Sequence, residues 1–154
     1  MISEYKKNDT PKILHVINDA SLRYKGIIPD NCWHEPYMSE QELIDEFSDG
    51  VHMFGFKHNN KLIGVIGIQK VKDVILIRHA YTLTSHQGKG TGSALLKYLL
   101  KKNHNSRLLV GTWHNATWQF NFIKNSVSFF RQKINQLCYL KNIGKYHQNK
   151  LKIQ

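Results

Sequence analysis

Between Gln87 and Gly92 the chain reads Gln-Gly-Lys-Gly-Thr-Gly, three glycines at alternate positions around a lysine. The segment follows the apolar run Val74-Ile75-Leu76-Ile77, which continues to Leu83, and precedes Leu95, Leu96, Leu99 and Leu100 at helical spacing. A loop opening a helix can hold an anion. The first helical turn leaves about four backbone N–H groups without intrahelical partners, and the macrodipole places about half a positive charge there. Glycines remove the side chains that would keep phosphate oxygens away from those amides. A pyrophosphate suits such a loop, and spacing decides which kind. A Walker A loop needs Lys followed by Ser or Thr, but Lys89 is followed by Gly90. The dinucleotide fingerprint G-x-G-x-x-G is not met by Gly88-x-Gly90-x-Gly92, and no Asp or Glu follows anywhere downstream. A glycine-rich loop without a ligand is the remaining structural reading.

Other reactive residue types are scattered. Cys32 and Cys138 stand in no C-x-x-C pair, which points to reduced thiols in a reducing compartment. His34-Glu35 lacks the second His of H-E-x-x-H and the nine histidines do not cluster, so no metal site is expected.

The 154 residues make one domain's worth of chain, able to bury about 70% of its unfolded surface. No apolar run approaches the roughly 18 residues of a spanning helix, and MISEYKKNDT lacks a signal peptide's apolar stretch. A soluble cytoplasmic protein without a membrane partner is the expectation. Charge is divided unevenly. Through Asp73 there are 9 basic and 11 acidic residues; from Val74 onward there are 13 basic and none acidic. That asymmetry fits an anionic ligand or a basic face, yet no recognised nucleic-acid motif accompanies it, which ranks a nucleic-acid-binding module as the lesser alternative.

The elements that must position the loop follow from periodicity. MISEYKK reads as a first strand, and Thr10-Pro11 as N-cap and first helical position of a helix carrying Ile13, Leu14 and Ile17, with Leu22 and Tyr24 extending its stripe to the stop at Gly26. Ser39-Glu40-Gln41-Glu42 is a capping box before Leu43, Ile44 and Phe47. Val51 to Phe56, Leu62 to Ile68 and Val74 to Leu83 predict a three-strand meander with a polar turn at His58 to Lys61 and a break at Lys70 to Asp73. A helix from about Ser93 to Lys102, a strand at Leu108 to Thr112 and a helix over Ala116 to Lys124 complete a βαβ unit. Short strands at Ser126 to Phe130 and Leu137 to Leu140 are the expectation for the end of the chain.

At this point a resemblance becomes specific. Gln87-x-x-Gly90-x-Gly92 matches the [Q/R]-x-x-G-x-[G/A] signature of the GNAT-type N-acetyltransferase superfamily, following a strand and opening a helix as in that family. Trp33-His34-Glu35-Pro36-Tyr37-Met38, Gly64 to Gln69, Ile77 to Tyr81 and Val110 to Trp113 are similar to one bacterial and archaeal branch of it, over about Asp19 to Trp118. The resemblance implies a single α/β (α+β) domain over residues 1–154: a mixed, mostly antiparallel sheet splayed between its fourth and fifth strands, flanked by helices, with acetyl-CoA as cosubstrate in the opening. It implies that Thr82 and Leu83 offer backbone groups to the pantetheine arm, that Gln87, Gly88, Lys89, Gly90, Thr91 and Gly92 wrap the pyrophosphate with Ser93 assisting, and that Asn115 contacts the cofactor near its thiol end. A plain helix cap is the competing role for Asn115.

Acetyl transfer to a primary amine needs a neutral amine, a donor for the oxyanion and an acid for the departing thiolate. In the superfamily the oxyanion donor is usually a fourth-strand N–H, here near Tyr81 to Leu83, and the acid a Tyr in the helix after the fifth strand. For the base His79 is the nearest candidate, with a structural histidine as the alternative. Trp33, Glu35 and Tyr37 are candidates for the acceptor pocket against core packing or a solvated loop acid. The Tyr position falls on Ile123, and neither Tyr139 nor Tyr146 matches it. Beyond Trp118 the chain departs from the family, and residues 126–154 read as atypical, Lys-, Asn- and Gln-rich sequence. A reading-frame change near codons 118 to 125 would account for the loss. A catalytically impaired coenzyme-binding remnant is therefore a further alternative, and acceptor identity and a homodimer are left open.

Overall fold

A computed structural model describes residues 1–129 apart from Thr112 and His114. The expected strand at Leu137 to Leu140, Cys138, Tyr139, Tyr146 and most of the atypical tail lie outside the described residues. The elements in chain order are β1 (Ile2–Tyr5), α1 (Thr10–Ser21), α2 (Glu40–Ser48), β2 (Val51–His58), β3 (Lys61–Val71), β4 (Val74–Thr82), α3 (Thr91–Lys102), β5 (Arg107–Val110) and α4 (Thr117–Phe129), with single 3₁₀ turns between several of them. The sheet order is β1-β2-β3-β4-β5. All pairs are antiparallel except β4 with β5, which run parallel on either side of the α3 crossover. This is the mixed, mostly antiparallel sheet flanked by helices that the resemblance implies.

Period-two alternation divides the core between the two faces. Met53 and Val65 lie under Ile13, Val16 and Ile17 of α1 and Leu43 of α2. Their neighbours Phe54 and Ile66 point the other way, joining Ile75, Ile77 and Leu108 beneath Leu95, Leu96, Leu99 and Leu100 of α3. Each fully buried leucine or isoleucine there contributes about 1.5–3 kcal/mol. Local signals hold the ends. Ser39 Oγ accepts from the Glu42 amide at 3.2 Å and Glu42 accepts from the Ser39 amide at 2.7 Å, closing the capping box. Asn59 and Asn60, at φ 46° and 60°, make the β2–β3 turn.

Several boundaries differ from expectation, three of them at helices. α1 starts at Thr10 with Asp9 as its N-cap, one residue earlier than the Thr10-Pro11 reading. α3 starts at Thr91 instead of Ser93, because Gly90 already takes the left-handed cap conformation. The strand expected at Ser126 to Phe130 is instead helical through Phe129: α4 continues past Lys124, since no Gly or Pro stops it.

The strands part where β5 ends. Val74, Ile75, Leu76 and Ile77 pair with Arg107, Leu108, Leu109 and Val110, after which β4 runs on from Arg78 to Thr82 paired, among the described residues, with β3 alone. β4 also bulges there. Arg78 faces Gly67 and Tyr81 faces Val65, so His79 and Ala80 share the single partner position of Ile66, with His79 at φ 51°.

Candidate functional site

A cavity of about 450 Å³ opens beside the unpaired end of β4. Ala80, Tyr81 and Thr82 of β4 and Trp118, Gln119 and Phe122 of α4 line it, and the loop from His86 through Ser93, Lys89 excepted, forms its floor. Ala20, Arg23 and Tyr24, at the end of α1 and just beyond it, also line it.

The floor presents backbone amides at the start of a helix. The first amide paired within α3 is that of Ala94, which donates to the Gly90 carbonyl at 2.9 Å, so the amides of Thr91, Gly92 and Ser93 precede the helical ladder. No side chain caps this end. Gly88 and Gly90 have φ +73° and +85°, and a Cβ at either would meet no atom within 4 Å. Those glycines are there for backbone conformation and open space, whereas Gly64 is packed: its Cβ would lie 2.6 Å from Thr91 Cγ2, bringing β3 hard against the start of α3. Gln87 holds the loop to β4 by donating from Nε2 to the Thr82 carbonyl at 3.1 Å. The Thr84 amide donates to Asp19 at 2.7 Å, tying the loop to α1.

Of the residues the sequence singled out for coenzyme, Thr82, Gln87, Gly88, Gly90, Thr91, Gly92 and Ser93 line the cavity together. Leu83, Lys89 and Asn115 do not. The Leu83 amide donates to the Ile63 carbonyl at 2.9 Å and its carbonyl accepts from His86 at 2.8 Å, so both backbone groups are engaged. Lys89 Nζ donates to the Ser85 carbonyl at 2.9 Å. Asn115 is exposed and donates to the Ile27 carbonyl at 3.5 Å, outside α4 rather than at its cap.

His79, the candidate base, turns away from the cavity wall. Its Nε2 lies 2.7 Å from Glu46 Oε2, and Arg78 donates to Glu46 Oε1 at 2.7 Å. Neighbours on a regular strand point to opposite faces; the bulge is what lets Arg78 and His79 meet one carboxylate. Glu46 is 7% exposed. A buried carboxylate of this kind requires such partners, and sequence reading missed it because they stand 32 and 33 residues away.

Two of the acceptor candidates, Trp33 and Tyr37, pack into an aromatic cluster with Tyr24 and Tyr81. Trp33 stacks on Tyr37 with centroids 5.8 Å apart. Glu35 is exposed and meets Lys25 at 3.3 Å. Tyr37, Tyr24 and Tyr81 cluster, Tyr24 lying 5.5 Å from Tyr37 and 6.3 Å from Tyr81 between ring centroids. Burial raises the hydroxyl pKa of all three. Tyr24 and Tyr81 line the cavity, a role their apolar periodicity concealed. Ile123, at the position of the expected acid, is buried and supplies no proton. Among the described residues no helix is long and apolar enough to cross a membrane.

Residues 14–119 match the acetyltransferase (GNAT) family. No curated protein sequence matches the chain. Among solved structures, the fold is similar to the ribosomal-protein-S18-alanine N-acetyltransferase of Escherichia coli, with 18% identity over 81% of this chain and 74% of that one and a TM-score of 0.65. It is also similar to the PaiA N-acetyltransferase of Thermoplasma acidophilum in complex with coenzyme A, with 21% identity over 81% and 87% and a TM-score of 0.61. An aminoglycoside acetyltransferase from an uncultured soil metagenomic sample, in complex with sisomicin, gives 14% identity over 92% and 96% and a TM-score of 0.64.

Proposed function

The chain belongs to the acetyltransferase (GNAT) family, and from that premise we propose that it transfers an acetyl group from acetyl-CoA to a primary amine by direct attack. The observation that carries the reading is the cavity at the parting of β4 and β5, floored by the glycine loop and the start of α3. Its residues fit the coenzyme in shape and charge. The vacant space beside Gly88 and Gly90 admits phosphate oxygens, and the amides of Thr91 to Ser93 can donate to them. Arg23 and His86 line the cavity and no carboxylate does, among the described residues, which suits a polyanion. Val65, Ile66, Leu95 and Phe122 offer an apolar wall for the pantetheine arm. Acetyl-CoA brings the activated acyl carbon and a thiolate leaving group. The chain contributes chiefly proximity, since holding amine and thioester together replaces a bimolecular encounter. His79 is committed to Glu46, so the amine's proton leaves to water. The coenzyme A complex of the Thermoplasma relative and the alanine N-acetyltransferase of E. coli support the donor and the nitrogen acceptor respectively.

Calorimetric titration with acetyl-CoA tests the site, run on the parent chain and on Gly90→Glu. The parent binds, and the variant, which adds bulk and negative charge where the space is open, loses affinity at least about tenfold, or about 1.4 kcal/mol. Equal affinity defeats the assignment. Thiol release over a panel of primary amines then separates a working transferase from a coenzyme-binding remnant.

A further inference from the structure

Along β4 the side chains change faces out of turn. Ile75 and Ile77 point to the layer of α3. Strict alternation would send His79, Tyr81 and Leu83 after them and leave Arg78, Ala80 and Thr82 on the side of α1 and α2. Instead Tyr81 and Leu83 pack against the core beneath α1 and α2. Thr82 Oγ1 lies on the α3 side, where a Cβ on Gly64, 3.2 Å from Leu95 of α3, would stand 3.4 Å from it. The extra residue in the bulge makes this exchange: Gly67 pairs with Arg78, but Val65 pairs with Tyr81 and Gly64 with Thr82. In a regular strand Val65 would face Ala80 and Gly64 would face Tyr81, placing a phenol ring where β3 already crowds Thr91 Cγ2. The bulge therefore decides whether a small hydroxyl or a large ring stands beside the start of α3, part of the cavity floor.

His79 holds φ 51° in that bulge, a left-handed conformation that a side chain resists. Glu46 is what favours it. Its carboxylate engages Arg78 on Oε1 and His79 on Oε2, each at 2.7 Å, and consecutive residues reach one carboxylate only while the bulge exists. Return to the regular register would swing His79 to the far face and strip a 7% exposed carboxylate of one partner. Arg78 has its own brace, donating to Gln69 Oε1 at 2.9 Å while Gln69 donates to the Asp49 carbonyl at 3.0 Å. The His79 bond is thus the one that differs between the two registers, and only a differential contact can choose between them. We propose that Glu46 is a positioning residue for the coenzyme cavity, holding β4 in its bulged register through His79 so that Thr82 and not Tyr81 faces the glycine loop. Glu46 itself does not line the cavity. The binding consequence rests on the acetyl-CoA reading; the structural one rests on strand pairing alone.

The test uses the full chain, with the cross-strand contacts of Tyr81 read by NMR and acetyl-CoA affinity by calorimetry. In the parent Tyr81 contacts Val65. Glu46→Ala should move that contact to Gly64 and weaken acetyl-CoA at least about tenfold. Glu46→Gln keeps an acceptor for Arg78 and offers an amide hydrogen to the imidazole, so the contact should stay and affinity should hold within about threefold. The decisive variant deletes His79 from the Glu46→Ala chain. Without the extra residue β4 becomes regular with Tyr81 still opposite Val65 and Thr82 opposite Gly64, so affinity should return to within about threefold of the parent although the clasp is gone. A residue serving stability alone would gain nothing from that second lesion. Glu46→Ala that keeps Tyr81 against Val65, or a double variant that fails to fold or to recover affinity, overturns the proposal. If Glu46→Ala alone does not fold, the double variant decides. A parent that binds no acetyl-CoA overturns the coenzyme reading, while the Tyr81 contact still judges the clasp.

Discussion

β4 is two strands in one. Its first half, Val74 to Ile77, is paired on both edges and sits under the leucines of α3. Its second half, Arg78 to Thr82, is paired with β3 alone among the described residues, carries a bulge, and lines the cavity through Ala80, Tyr81 and Thr82. The first half is held by hydrogen bonds and apolar contact, as any sheet interior is. The second is held by side chains: Glu46 gripping Arg78 and His79, Gln87 on the Thr82 carbonyl, and the Tyr81 ring edge-on to that of Tyr24. The cavity opens where a strand loses one partner and side chains anchor it in place of another strand.

That contrast can be attacked at both ends. Leu99→Ala, in the layer covering the doubly paired half and fully buried, should destabilise the chain by about 4 kcal/mol through lost transfer energy and a cavity, read from urea unfolding. A value under about 1 kcal/mol would mean that this half is not the rigid one. Glu46→Ala removes the anchor of the bulged half and leaves Arg78 and His79 facing an empty place. Breaking a buried pair costs about 3 kcal/mol when, as here, one partner keeps some solvent. The same urea measurement should show it, and acetyl-CoA affinity should fall with it if the bulge sets the cavity wall. The smallest effect separates backbone strain from site chemistry. Gly50 and Gly90 have nearly the same φ, +88° and +85°, and open space around both, but only Gly90 lines the cavity. Alanine at either should cost about 1 kcal/mol of stability for a left-handed Cβ. Only Gly90→Ala should also weaken acetyl-CoA in calorimetry; equal behaviour would reduce the glycine loop to a turn.

Sequence made the doubly paired half readable and the other half only partly so. The Ser39 capping box, the Asn59-Asn60 turn and the leucine spacing of α3 are local rules, complete within a few residues, and the fold obeys them. The loop from Gln87 to Gly92 was legible for the same reason, as conformation and anion affinity are both written into a six-residue stretch. Glu46 was not, because on its helix it reads as one more surface carboxylate until β4 brings Arg78 and His79 to it. Tyr24 looked like part of an apolar stripe; the helix actually ends at Ser21 and the following 3₁₀ turn redirects the ring toward Tyr81. Lys89 looked like a phosphate ligand, but its own loop supplies a carbonyl within reach. Side chains whose partners are distant in sequence are those whose roles cannot be read from spacing.

Arg23 reaches from beyond the end of α1 to lie 4.3 Å above the Trp118 ring, with Gln87 Oε1 3.4 Å from its guanidinium. A charge resting on an indole ties the electronic surroundings of that ring to whatever else competes for the charge. On the proposed coenzyme reading, phosphates in the cavity would compete for that charge, and the emission colour and intensity of Trp118 should then track coenzyme loading without any added label.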